Sequence, residues 1–268
     1  MDYRPNYKEL EEARRWKEEE AYRTYHPARP GLSHMMPHLL RSGAFTAGAP
    51  SGHVSAVFQV HRHDSLDELV HGQEVRYEGP QLGQFHKRVL LGLLLLAAGR
   101  DADVTLAFTA DEFLRSVGRD VCTSNVKALR RVLSDLRAAT FTVTRYAGDS
   151  GEVFGFISEA DWLGRAFTVT MSRRFASALE TLGRTYIPMH QRNLLADGLQ
   201  TALADLIWAT KGTMIQVADL AVLWGREPVQ LGREITHVLG KLCAAGVLTS
   251  FRRRRGKFEF ERATKHSS

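Results

Sequence analysis

The sequence predicts an α+β protein: two winged-helix domains, a helix-turn-helix variant, in tandem behind an N-terminal charged helical arm. Three observations predict it. One order of elements occurs twice, each copy contains a helix that is apolar on one face and polar on the other, and the second copy ends in a hairpin carrying four consecutive arginines. The expected boundaries are 1–32 for the arm, 33–186 for the first domain and 187–268 for the second.

The repeat is visible in the pairs "GRDV" (118–121) with "RVLSDLRAATFTV" (131–143), and "GREP" (225–228) with "HVLGKLCAAGVLT" (237–249), offset by about 106 positions. Each copy opens on a long helical run, "HKRVLLGLLLLAAG" or "LLADGLQTALADLIWATKG". A short β-prone piece follows, "VTLAF" or "TMIQ", and then a short helix, "TADEFLRSVG" or "VADLAVLWG". Thr109 and Glu112 have the spacing of a capping box, which starts the first of these short helices.

The next helix of each copy is amphipathic. Val126, Leu129, Val132, Leu133 and Leu136 recur at three- and four-residue spacing, as do Leu231, Ile235, Val238, Leu239 and Leu242. Pro228 suits the first helical position of the second. The opposite faces offer Ser124, Asn125, Lys127, Arg130, Arg131, Ser134 and Arg137, and then Gln230, Arg233, Glu234, His237 and Lys241. Such residues can pair with base edges in a major groove, Arg and Lys with guanine, Gln and Asn with adenine. For any one of them a solvated helix face is the alternative.

After each amphipathic helix the sequence predicts strand, turn and strand. In the first copy this is "TFTVTRYAGDSGEVFGFI", which carries Arg145; in the second it is "VLTSFRRRRGKFEFERATK". Val247, Thr249 and Phe251 are expected on one face, and Phe258 and Phe260 alternate with Glu259 and Glu261. Arg252, Arg253, Arg254, Arg255 and Lys257 then form the wing beside the second helix. Clustered arginines repel one another in isolation but become favourable along a phosphate backbone, where they release counterions. Residues 241–268 hold eight of the 36 basic and two of the 30 acidic side chains, so residues 1–240 hold 28 of each sign. The whole net charge of +6 therefore lies at the C-terminal end, which points to a polyanion, double-stranded DNA, as partner.

Other functions find little support in the residues. "VLLGLLLLAA" (89–98) is too short for a bilayer and suits a buried helix, and the charged N-terminus lacks a secretory apolar stretch, so a cytoplasmic chain without membrane association is expected. Cys122 and Cys243 have no metal-ligand spacing and read as reduced packing residues. His61 and His63 in "VHRHDSLDELVH" (60–71) could belong to a metal-dependent nicking site, but Arg62 separates them and no tyrosine motif follows. There is no GxxxxGK[ST], Ser-His-Asp or CxxC arrangement; no catalytic residue, metal or cofactor is expected, and the chain is not expected to be an enzyme.

The stretches "HLLRSGAFTAG" (38–48), "VRYEGPQLGQFHKRVLLGLLLLA" (75–97), "FTADEFLRSVGRDVCTSNVKALRRVLSDLRAATFTV" (108–143) and "MSRRFASALETLGRTYIPM" (171–189) resemble the TrfA-type plasmid replication initiators, within the tandem winged-helix Rep initiators. The resemblance runs from about residue 38 to the C-terminus. It implies binding to tandem direct repeats (iterons) at a plasmid origin and opening of adjacent AT-rich DNA. It also implies recruitment of the host replicative helicase, a host initiator protein as a further partner, and a monomer–homodimer equilibrium. A winged-helix transcriptional repressor is the alternative, since its DNA contacts would be alike. The segment "YKELEEARRWKEEEAYRTY" (7–25) falls outside the resemblance and reads as a solvated helical arm or a partner-docking helix.

Overall fold

The computed structural model describes residues 31–41, 44–59, 74–145, 150–181, 184–210 and 212–263. The N-terminal arm and the His61/His63 segment lie outside them. Two hydrophobic cores organise the chain, one built from residues between Met35 and Ala209 and the other from residues between Leu195 and Phe260. Trp208 packs against both. Strand β1 (Leu32–Met35) pairs antiparallel with β9 (Thr185–Pro188), so the expected boundary at 186/187 falls inside a strand. No described helix is long and apolar enough to cross a membrane.

After β1 come α1 (Pro37–Arg41), β2 (His53–Gln59) and β3 (Glu74–Pro80). Helix α2 (Gln84–Ala97) contains the long apolar run and is buried almost throughout, as its composition requires. Gly92 is the tight point. A Cβ there would lie 2.5 Å from Val117 Cγ1 and 3.0 Å from Phe113 Cζ. Alanine gains up to about 1 kcal/mol of helix propensity, but overpacking costs about 1–3 kcal/mol. Gly92→Ala is therefore expected to lower stability by about 1–2 kcal/mol in urea unfolding; a stabilised variant would show that Val117 and Phe113 repack freely.

From here the two copies follow the same plan. In the first, β4 (Thr105–Thr109) leads into α3 (Ala110–Ser116) and α4 (Thr123–Ala138). The Thr109–Glu112 capping box forms as expected: Thr109 Oγ1 accepts from the Glu112 N–H at 3.2 Å, and Glu112 Oε2 accepts from the Thr109 N–H at 3.3 Å. After α5 (Arg173–Thr181) and α6 (Met189–Asn193), the second copy runs α7 (Leu199–Ala209), β10 (Met214–Gln216), α8 (Val217–Trp224) and α9 (Pro228–Ala244). Pro228 opens α9, and the Glu227 carboxylate caps it by accepting the Gln230 N–H at 2.8 Å. The predicted inner stripes of α4 and α9 are buried at every position named above.

The first hairpin differs from expectation. Strands β5 (Thr140–Arg145) and β6 (Ser150–Gly155), which follow α4 directly, belong to a four-stranded sheet of order β2-β3-β5-β6. The sheet equivalent to the second copy's is built from the next hairpin, β7 (Ile157–Leu163) and β8 (Ala166–Met171), in the order β4-β8-β7. The second copy has β10-β12-β11, with β11 (Leu248–Arg254) and β12 (Lys257–Arg262). The match extends to single bonds. The first N–H of α3, Ala110, donates to Arg165 O in the β7–β8 turn at 2.8 Å; the first of α8, Val217, donates to Gly256 O in the β11–β12 turn at 2.9 Å. Arg145 therefore belongs to the four-stranded sheet and not to the hairpin beside α4. Strand order and these bonds show β5–β6 as an insertion between α4 and the hairpin that corresponds to β11–β12. A smaller correction concerns β11. The register shifts between Leu248 and Ser250, leaving Val247 and Leu248 both buried and Thr249 exposed. A bulge adds one residue to a strand, so alternation breaks there.

Candidate nucleic-acid interface

On α4, Ser124, Lys127, Arg131, Ser134 and Arg137 are exposed, while Asn125 and Arg130 are half-buried. The amide of Asn125 donates to Asp120 O at 2.8 Å, which ties down the entry to the helix. Arg130 Nη2 donates to Gly164 O at 2.5 Å and links α4 to the tip of the β7–β8 hairpin. Ser134 Oγ donates back to Arg130 O. Arg131 has 80% of its side chain exposed and meets Asp135 only at 3.8 Å, a surface pair of small value that leaves it available to a ligand. Cys122, expected to pack, is instead exposed at the N-terminus of α4. Its thiol is pushed down by the Ser124 hydroxyl at 3.0 Å, with a smaller share from nearby backbone hydrogen bonds. Cys243 is half-buried, and burial pushes its thiol up.

On α9, Gln230, Arg233, His237 and Lys241 are exposed. Glu234 is engaged within its own neighbourhood, accepting from Arg226 Nη2 at 2.6 Å and from the Gln230 amide at 3.2 Å. The Arg226 guanidinium holds the Glu234 carboxyl below its ordinary range. Arg233, His237 and Lys241 are exposed on this helix without a side-chain hydrogen bond among the described residues, which leaves their polar ends available.

The arginines of the second wing do not point the same way. Arg252 to Arg254 lie in β11, and only Arg255 sits in the turn. Arg253 opposes Phe258, whose ring is in the core, so it shares the face turned toward α9. Its Nη2 would lie 4.0 Å from a Cβ placed on Gly232 of α9, which puts the guanidinium beside that helix. Arg252 and Arg254 face the other way, where Arg254 Nε meets Glu259 Oε2 at 3.0 Å. Lys257 is half-buried opposite Arg254.

Matched by register, the first wing is chemically different. Leu163 pairs with Ala166 as Arg254 pairs with Lys257, each across a two-residue turn. Asp161, Trp162, Leu163 and Gly164 thus occupy the positions of Arg252, Arg253, Arg254 and Arg255. Leu163 is 87% exposed, and Arg165 is bonded to Asp111 at 2.6 Å. Among the described residues, the run of exposed arginines on the second hairpin has no counterpart on the first.

Sequence reading missed the residues that join the two units. Lys87 and Arg88, at the start of α2, are buried and form ion pairs with Asp205 and Asp197. Two clefts share Asp197, one bridging the two units and the other within the second unit. One, of about 470 Å³, is lined by Arg131 of α4, Arg119 and Asp197; the other, of about 500 Å³, by Arg233 and His237 of α9 and again Asp197. The two candidate reading helices therefore flank one junction.

No protein-family model matches the sequence, and no curated protein matches it. Solved structures do match the fold. Domains 2 and 3 of RctB, crystallised as selenomethionine derivatives, superpose with a TM-score of 0.57 at 8% identity, covering 81% of this chain and 93% of that chain. RctB residues 155–483, again domains 2 and 3, give a TM-score of 0.55 at 8% identity over 84% of this chain and 96% of that one. At this identity the likeness is one of fold, and it extends across both units.

Proposed function

We propose that this chain is a plasmid replication initiator that binds tandem direct repeats through two winged-helix units. In this reading it opens the adjacent AT-rich DNA and recruits the host helicase. The observation that carries the reading is the duplicated plan itself: two copies of strand, helix, reading helix and hairpin in one chain, the second with an arginine wing. The fold shared with RctB, a replication initiator with winged-helix domains, supports the initiator class, and the stretches similar to TrfA-type initiators support the plasmid setting. The chain acts by binding and deforming DNA rather than by cutting it.

Footprinting on a single repeat tests the reading. Two units docked in successive major grooves should protect about two helical turns, on the order of 20 base pairs. Protection confined to one groove would exclude simultaneous docking. One inverted repeat over a promoter as the preferred site, in place of direct repeats beside an AT-rich tract, would favour the repressor. Relaxation of supercoiled plasmid in magnesium would favour the nicking enzyme. Arg233→Ala should cost about 1–3 kcal/mol on the correct site and much less on scrambled DNA. Equal losses on both would make Arg233 a phosphate contact.

A further inference from the structure

The seam between the units is held by charge. Lys87 Nζ lies 3.3 Å from Asp205 Oδ2, and Arg192 grips the same carboxylate at 3.0 and 3.1 Å. Arg88, on the next residue of α2, donates from Nε to Asp197 Oδ1 at 2.7 Å and from Nη2 to Leu195 O at 2.9 Å. Its Nη1 donates to Val117 O at 2.9 Å and Asn193 Oδ1 at 3.0 Å. Asn193, in turn, donates from Nδ2 to Ser116 O at 3.1 Å. Arg119, in the segment that leads into α4, reaches Asp197 Oδ2 at 3.5 Å. The backbones approach closely here: Gly118 has φ +69°, and a Cβ on it would lie 2.8 Å from that of Asn193.

An apolar seam can slide, because dispersion and hydrophobic contact are not directional. This one cannot slide without breaking several directed bonds at once, since Arg88 alone joins α2 and the end of α3 to the segment that opens the second unit. Asp197 lines both clefts, together with Arg131 in one and with Arg233 and His237 in the other. We infer that Arg88 and Asp197 are positioning residues for DNA reading: they hold α4 and α9 at one separation and angle, so the spacing between the two half-sites is encoded in this seam. The inference rests on the two-unit DNA-binding reading above.

Selection from a library of random duplexes of roughly 40 base pairs, long enough for two grooves and their flanks, separates the two claims. Wild-type protein should recover a two-part motif at a single spacing. Asp197→Asn should recover the same two half-motifs at a spread of spacings. If only about a tenth of its molecules hold the docking angle, its affinity for the wild-type site falls about tenfold. Affinity for each half-motif alone should not change. Failure of the wild-type protein to yield a two-part motif would sink the DNA reading itself. A single, unchanged spacing in a folded Asp197→Asn protein would overturn the inference. Should that variant fail to fold, Arg88→Lys keeps a cation beside Asp197 but gives up the forked bonds to Val117, Asn193 and Leu195, and the same comparison decides: broadened spacing supports the seam, unchanged spacing overturns it.

Discussion

Replacing Asp205 with alanine is expected to lower the stability of the protein by about 3–5 kcal/mol. Asp205 is fully buried on α7 and is the counter-ion of both Lys87 and Arg192, themselves buried. Two charges have been withdrawn from water there, and the carboxylate is what makes that tolerable. Without it, each cation keeps its desolvation cost and loses its compensation. Lys87→Met should be milder, because it removes one buried charge, keeps most of the side-chain volume and leaves the two-point Arg192–Asp205 contact intact. Urea unfolding followed by circular dichroism measures both. A loss below about 1 kcal/mol for Asp205→Ala would mean that water reaches the cluster, as at a surface pair.

The same carboxylate makes the fold sensitive to acid. Burial by itself would raise the Asp205 carboxyl, but the Arg192 and Lys87 charges outweigh it and hold the group below its ordinary range. A depressed folded value means that the unfolded chain takes up the proton first. The contribution is therefore complete above the unfolded Asp value of about 4 and disappears as the pH falls through the lower folded value. Wild-type stability should fall in that window, and the Asp205→Ala protein should lack this part of the fall.

Replacing Arg252, Arg253, Arg254 and Arg255 together with serine is expected to flatten the salt dependence of DNA binding by about two units in a log–log plot. Each phosphate neutralised contributes about 0.9 to that slope. Four contacts would exceed three units, but the hairpin does not aim four guanidinium groups at one strand. Arg253 turns toward α9 and Gly232, and Arg254 is engaged by Glu259. Arg252 and Arg255 have no ion pair among the described residues and should carry most of the effect. Sequence discrimination should persist, since α9 is unchanged, and so should the melting temperature, because all four arginines are exposed. Titrations across a salt series on specific and scrambled duplexes settle the matter; an unchanged slope would make the run a solubilising surface. The matching change on the first wing, Asp161→Arg with Leu163→Arg, should steepen the slope if that wing also lies against the duplex.

Much of this was legible in the sequence because it depends on neighbours. The Thr109–Glu112 box, Pro228 at the start of α9 and the buried stripes of α4 and α9 are local patterns, with a period set by the helix itself. The duplication was legible for the same reason. The choice of wing was not. Both "TFTVTRYAGDSGEVFGFI" and the following "ISEADWLGRAFTVTM" have strand character, and which of them pairs with β4 depends on contacts across the chain: Phe108 opposes Phe167, and β5 is taken by β3. Alternation identifies a strand but not its partner.

The site divides along the same line. Sequence alone determined which helices turn polar faces outward and where the basic hairpin lies, and from these came the expectation of a polyanion as partner. Tertiary structure decided which of those polar groups remain available, since Arg130, Gln230 and Glu234 are bonded within the protein while Arg233 and Arg131 face the clefts. It alone showed the seam. Lys87 and Arg88 read as a charged beginning to an apolar helix, and nothing nearby says that they are buried. Arg88 meets its aspartate 109 positions away. A buried charge is stable only beside its counter-ion, and that counter-ion is brought there by folding, not by sequence spacing.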